Sequence, residues 1–339
     1  MLKRRRALLA NVALGASVLV SNACGARTSL SLPDEGRDVA VEPSPPNNDY
    51  KIAFTVTDDT NGIPKVFVKL WHSRTQETTQ LNHTGYISPS FTFDGRFLAL
   101  RPIATSHDVS ALVLDSSEHE MWSQTSALLL DVIGGAPSVT IRAGAERVVA
   151  NGESTATQSD CLATLDADGT TTYVPPCDAT NTLIEPSYAP DGAFMAAVLP
   201  NDFVTLIQRD DGTGRQTILD FKGDGACFEP AFSFDGLRLV CVRSIVNDQK
   251  RCTKSNFCNA LWIVDLSNLQ HKEVTPLDES QWRYPHFTPD GENLIAVKTS
   301  ANHHIERVNI ATAAETVLAE TSYLDFSPLP PISVARDLE

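Results

Sequence analysis

The chain has 339 residues, 42 % of them apolar and 20 % charged, with a formal net charge of −15. That composition belongs to a folded chain long enough to bury a large core. A body this acidic repels phosphate backbones, so nucleic acid is excluded as an expected partner and the charge reads as a solvated surface.

In chain order, the first 23 residues have the layout of an export signal. Lys3 to Arg6 are basic, Ala7 to Val20 are apolar, and Ser21-Asn22-Ala23 gives the small-x-small cleavage pattern. The apolar run is short for a bilayer, and no later segment approaches the roughly 20 residues that a spanning helix needs. Cleavage after Ala23 would leave Cys24 at the N-terminus, as in a lipid-anchored protein, although Ser21 stands where such signals usually carry Leu. The expected setting is therefore the periplasm, outer membrane or cell surface, lipid-anchored or secreted, with membrane contact only through the lipid. Residues 24–49 contain Pro33, Pro43, Pro45 and Pro46 without apolar periodicity, and read as a disordered tether.

From residue 50 one short pattern recurs: Pro, any residue, a large residue, a small residue, any residue, Asp, Gly, then an apolar strand. It stands as Pro89-Ser-Phe-Thr-Phe-Asp-Gly95, Pro186-Ser-Tyr-Ala-Pro-Asp-Gly192, Pro230-Ala-Phe-Ser-Phe-Asp-Gly236 and Pro285-His-Phe-Thr-Pro-Asp-Gly291. A worn copy is expected at Pro137-Ser-Val-Thr-Ile141, with Val139 at the large position and the Asp-Gly lost. The prolines then fall 48, 49, 44 and 55 residues apart, the period of a propeller with one four-stranded blade per repeat. Alternation along the innermost strand would put the large set (Phe91, Val139, Tyr188, Phe232, Phe287) between blades and the small set on the other face. Asp-Gly would make a two-residue hairpin into the second strand. The ends of the chain are expected to complete a sixth blade. Leu324-Asp-Phe-Ser-Pro328 would be its innermost strand, and Lys51–Val56 the second. The fold class expected is thus all-β, a six-bladed propeller over residues 50–328, closed by the N-terminal strands, with 329–339 a C-terminal tail.

These four strong copies resemble the TolB-type, WD-like propeller repeat, over about residues 50 to 328. The resemblance implies the propeller fold, an envelope setting and binding of proteins or small ligands on a propeller face. TolB itself carries a further N-terminal α/β domain, and only the tether precedes the ring here, so its cellular role is not carried over.

Six cysteines lie within the repeats and Cys24 is the odd one. An even set in an exported chain points to disulfides. Three local bridges, Cys161–Cys177, Cys227–Cys241 and Cys252–Cys258, are the simplest of the fifteen pairings that six cysteines allow.

Motifs with chemistry are sparse. The sequence has neither Gly-x-Ser-x-Gly nor His-Glu-x-x-His. His303-His304 reads as a polar loop, and Asp166-Ala-Asp168-Gly169 as a hairpin turn lacking the closing acid of a calcium loop. The place to look is the central channel, lined by innermost strands. One residue after the repeat proline come Ser90, Ser138, Ser187, His286 and Asp325; one before it come Glu185, Glu229, Tyr284 and Tyr323. Converging carboxylates with a histidine could hold a divalent cation or act as acid and base. The plainer reading is a water-filled channel with no cofactor and no metal. The function expected is a monomeric, non-enzymatic propeller binding an envelope protein or a small extracellular ligand. The alternative is a carbohydrate-active hydrolase or lyase using His286, Asp325, Glu185 and Glu229.

Overall fold

A computed structural model describes residues 48–58, 65–102, 108–130, 138–178, 182–199, 204–221, 226–246, 257–277, 281–299, 303–321 and 332–337. The export signal, Cys24 and most of the tether lie outside the described residues, as do Cys252, Tyr323 and Asp325.

The described residues form twenty-four strands. The first three are β1 (Tyr50–Asp58), β2 (Lys65–His72) and β3 (Thr78–Thr84). Next come β4 (Tyr86–Phe91), β5 (Phe97–Pro102), β6 (Asp108–Asp115) and β7 (Glu120–Leu130). They are followed by β8 (Val139–Ile141), β9 (Arg147–Ser154), β10 (Asp160–Asp166) and β11 (Thr171–Tyr173). The third group is β12 (Ile184–Tyr188), β13 (Met195–Leu199), β14 (Val204–Gln208) and β15 (Gln216–Asp220). Then come β16 (Ala226–Phe232), β17 (Arg238–Val246), β18 (Phe257–Asp265) and β19 (His271–Glu273). The last are β20 (Gln281–Phe287), β21 (Asn293–Thr299), β22 (His303–Asn309), β23 (Glu315–Thr321) and β24 (Ser333–Arg336).

Four sheets have four strands each, and consecutive strands pair antiparallel. The fifth sheet has eight, because Leu129 and Leu130 at the end of β7 pair with Ser154 and Glu153 of β9. The long β7 thus welds two four-stranded units that the sequence reading expected to be separate. Tyr173 reinforces the seam: its hydroxyl donates to the Leu128 carbonyl at 2.8 Å and accepts from the Ser154 hydroxyl at 2.9 Å.

Innermost strands touch in the order β24, β4, β8, β12, β16, β20 and back to β24. The large residues of these strands pack between successive units. Phe91 joins Ala53, Val68 and Leu81 of the first sheet, and Tyr188 joins Val149 and Leu162. Phe287 joins Val240, Val242 and Leu261 in the same way. Burying such a side chain contributes about 1.5–3 kcal/mol, so these positions supply much of the cohesion around the ring.

Closure is made by a different segment from the one expected. Ser333–Arg336 pairs with β1, Ser333 opposite Ala53 and Val334 opposite Ile52, so the presumed tail supplies the innermost strand. Leu324–Pro328 lies outside the described residues. Val334 and Ala335 are buried beside the first sheet's core, although Leu324-Asp-Phe-Ser-Pro328 carries the closer likeness to the repeat. The end is clasped by His72 Nδ1 and Asp337 Oδ2 at 2.8 Å, and by the Asp337 N–H on the Asp49 carbonyl at 3.0 Å.

The worn repeat is also re-registered. Ile141, opposite Val148, takes the place that Phe91 takes opposite Leu98, so the large residue is Ile141 rather than Val139. The Asp-Gly turn is replaced by Gly144-Ala145, with Ala145 at φ 60° and its N–H on the Arg142 carbonyl at 2.8 Å. In the intact copies the loop has four residues rather than two: Thr92 N–H meets the Phe97 carbonyl, and Gly95 N–H returns to the Thr92 carbonyl. The small residue is a turn cap, since Thr92, Ser233 and Thr288 donate to Asp94, Asp235 and Asp290 at 2.5–2.6 Å. His303 and His304 open β22 instead of lying in a loop. Asp166 and Gly169 do form the expected hairpin turn.

Candidate functional site

Each intact innermost strand carries a bulge immediately before the proline. Ser88, Glu185, Glu229 and Tyr284 have φ of 54°, 55°, 54° and 51°, and the pairing register shifts at each. A non-glycine residue in this region is strained by about 1–3 kcal/mol, so four repeats of it mark a built feature. Simple alternation would put the residues flanking the proline on one face; the extra bulge residue breaks that phase.

The bulge directs the carboxylates sideways, from one unit to the next. Glu185 Oε2 accepts the Glu229 backbone N–H at 2.6 Å, and Glu229 Oε2 accepts the Tyr284 N–H at 2.6 Å. Glu229 Oε1 receives Arg283 Nε and Nη2, each at 2.5 Å. Arg283, two residues before its proline, was not among the candidates; the corresponding positions hold Ile87, Ile184 and Phe228, and the lone charge in that column was the available signal.

Burial dominates the electrostatics. It pushes the Glu185 carboxyl up to about 7, helped by the neighbouring Glu229 and opposed by the Glu229 N–H. Burial also raises Glu229, with Arg283 pulling the other way, and raises the Tyr284 phenol. His286 is held well below its ordinary value, at about 4, by burial. It is therefore neutral at pH 7, and its Nε2 lies 2.9 Å from the Ile332 carbonyl, the geometry of an Nε2–H donor.

One residue after the proline position, the ring reads Ser90, Thr140, Ser187, Ala231, His286 and Ser333. Thr140 and Ser333 replace the expected Ser138 and Asp325 in this layer. Their hydroxyls are inter-unit ties as well: Tyr188 N–H donates to Thr140 Oγ1 at 3.2 Å and Phe91 N–H to Ser333 Oγ at 2.9 Å. Further along the strands, Phe93 and Phe234 come from units on opposite sides of the ring and meet edge-to-face, centroids 5.1 Å apart. Arg336 sits over the Phe234 ring.

These layers line a single cavity of about 80 Å³, taken over positions that the centre of a water can occupy. That is room for several waters. Glu185, Glu229, Tyr284, His286, Ser90 and Ser187 are brought together around it, as expected. Among the described residues no three His, Cys, Asp or Glu side chains form a metal-ligand set. Glu229 has both oxygens engaged, which leaves Glu185 and His286 as the donors a metal would find.

The bridges Cys161–Cys177 and Cys227–Cys241 are present, with Cα atoms 5.4 and 5.5 Å apart. Cys258 is disulfide-bonded, and its expected partner Cys252 lies outside the described residues.

Sheets, ring contacts and axial cavity together define a β-propeller with four-stranded blades. Among solved structures the chain is similar to TolB from Acinetobacter baumannii, at 14 % identity and TM-score 0.62 over 85 % of this chain and 67 % of that one. It is also similar to a chain of the nidogen/laminin complex, at 12 % identity and TM-score 0.57, covering 84 % and 98 %. A third is oligogalacturonate lyase in complex with manganese, at 16 % and 0.55, covering 82 % and 76 %. Identities this low carry the fold alone. No family model and no curated protein sequence matches the chain.

Proposed function

We propose that this is an exported, six-bladed binding propeller that engages an envelope or extracellular protein on one of its faces, and that it is not an enzyme working through its channel. The carrying observation is the employment of the candidate catalytic carboxylates. Glu229 is saturated by Arg283 and the Tyr284 N–H, and Glu185 spends an oxygen on the Glu229 N–H, so both serve as straps between blades. A general acid and base must reach a substrate, and the cavity of about 80 Å³ between these straps has room for several waters but not for an oligosaccharide. The six-blade count follows from reading the eight-stranded sheet as two blades fused at β7 and β9. Export is supported by the two disulfides together with the signal-like first 23 residues. Similar folds include a chain from a nidogen/laminin complex, a protein–protein assembly, which supports the class of partner.

The test is affinity capture from envelope extracts with the disulfide-intact ring, alongside an oligosaccharide-cleavage assay. The reading expects a stoichiometric protein partner, retained by Glu229→Gln, and no cleavage. Cleavage lost in Glu229→Gln would establish the lyase or hydrolase alternative instead. Lipid anchoring is tested separately: palmitate label in the parent and none in Cys24→Ala is expected, and equal label in both would refute it.

A further inference from the structure

The channel holds polar groups that the protein leaves unused. The hydroxyls of Ser90 and Ser187 make no hydrogen bond among the described residues, and Ser138 Oγ is buried without a partner. His286 uses one ring nitrogen, and Glu185 uses one carboxylate oxygen. All five residues line the same cavity. Part-buried polar atoms that face a channel without a protein partner call for water or a ligand.

Charge narrows the chemistry of that ligand. Arg283 binds Glu229 at 2.5 Å and balances it; it also acts on Glu185 from further away, but among the described residues no cation is bonded to Glu185. Among the described residues the site therefore carries two carboxylates against one guanidinium, within mostly apolar walls. A hard divalent ion takes six to eight oxygens, and the described ring offers a single unengaged carboxylate oxygen. An organic cation with an apolar skeleton is better matched: its charge meets the carboxylate and its carbon skeleton meets aromatic rings. Glu185 lies in the layer before the proline, and beyond the strand ends the Phe93–Phe234 pair, from opposite units, crosses the axis, so the described channel has a carboxylate end and an aromatic end.

We propose that the channel is a pocket for a small organic ammonium ion, entered from the Glu185 end, with the ammonium group on the Glu185 carboxylate and the alkyl part running toward the Phe93–Phe234 floor. This site is independent of any protein partner on the outer faces. Neutral His286 and the serine hydroxyls would accept the remaining ammonium hydrogens.

Calorimetric titration of the disulfide-intact protein at pH 8 tests it, with n-butylammonium chloride as probe and n-butanol and calcium chloride as comparisons. The expected result is one site, with n-butylammonium at least tenfold tighter than n-butanol. Glu185→Gln should weaken n-butylammonium at least tenfold while keeping the acceptor for the Glu229 N–H. Ser187→Val, which narrows the channel without touching a hydrogen bond, should weaken it similarly and decides the matter if Glu185→Gln does not fold. Absence of binding at millimolar probe overturns the proposal. So does equal affinity in the folded variants, or calcium binding that n-butylammonium does not displace.

Discussion

Replacing Glu185 by Gln should change how stability depends on pH, in a direction that burial dictates. The Glu185 carboxyl sits at about 7 in the folded protein against an ordinary value of 4.5. The folded state therefore binds this proton more tightly than the unfolded state does. Its stabilising contribution is complete below about pH 4.5, declines as pH rises, and is lost above about 7. A displacement from 4.5 to about 7 corresponds to about 3–4 kcal/mol at about 1.4 kcal/mol per pH unit. Gln carries no titrating proton and keeps an oxygen for the Glu229 N–H at 2.6 Å. Urea unfolding of both proteins at half-unit steps from pH 4.5 to 8 is the assay. The difference between them matters, because the acidic chain also repels itself more as pH rises. The two should be of similar stability near pH 4.5, with the variant ahead by up to about 3–4 kcal/mol at pH 8. Glu229, also raised, leaves a residual slope in both. Parallel profiles, or a variant weaker at pH 8, would refute the view that Glu185 is a buried carboxylate destabilised by its setting.

Three further outcomes are expected. Arg147 forks Asp166 at 2.5 and 2.7 Å and reaches Asp210 at 2.8 Å, where the Tyr188 hydroxyl also donates. Arg147→Met should cost about 3 kcal/mol in urea unfolding by stranding two part-buried carboxylates, and no loss would show the network to be dispensable. Gly95 has φ 72°, and a Cβ there would fall 2.3 Å from the Arg336 carbonyl, so Gly95→Ala should lower stability by about 1–3 kcal/mol and loosen β24. Hydrogen exchange localised to β24 and β1 would check it. Removing residues 332–339 should abolish the single cooperative melt, because β24 closes the ring on β1; a truncated protein melting like the parent would refute closure by this strand.

Much of the architecture was legible because it is periodic. Pro-x-large-small-x-Asp-Gly places a proline on an innermost strand, a large residue between blades and a glycine at positive φ, and each duty belongs to one residue type. The worn copy slipped by two residues because a proline survived while the turn chemistry moved to Gly144-Ala145, where backbone conformation outlasts the motif. The site was half legible. Its residues share a layer and could be collected by column, but their direction depends on a bulge that a column does not reveal. Thus Glu185 and Glu229, an acid–base pair only in the alternative reading and channel lining in the plainer one, hold neighbouring backbones, and Arg283 enters as the unanticipated partner.

The sequence by itself determined a repeating blade and where the turns between its strands fall, and it made the two cysteine pairs within single blades the simplest pairing, since all of these depend on residues close in the chain. Tertiary structure decided everything that joins one blade to another: Ser333–Arg336 as the closing strand, the β7–β9 weld, the carboxylate straps and the Phe93–Phe234 floor. Those contacts unite residues from 23 to 286 positions apart, as Leu130–Glu153 and Tyr50–Arg336 do, and no local pattern encodes which distant backbone N–H a buried carboxylate will meet.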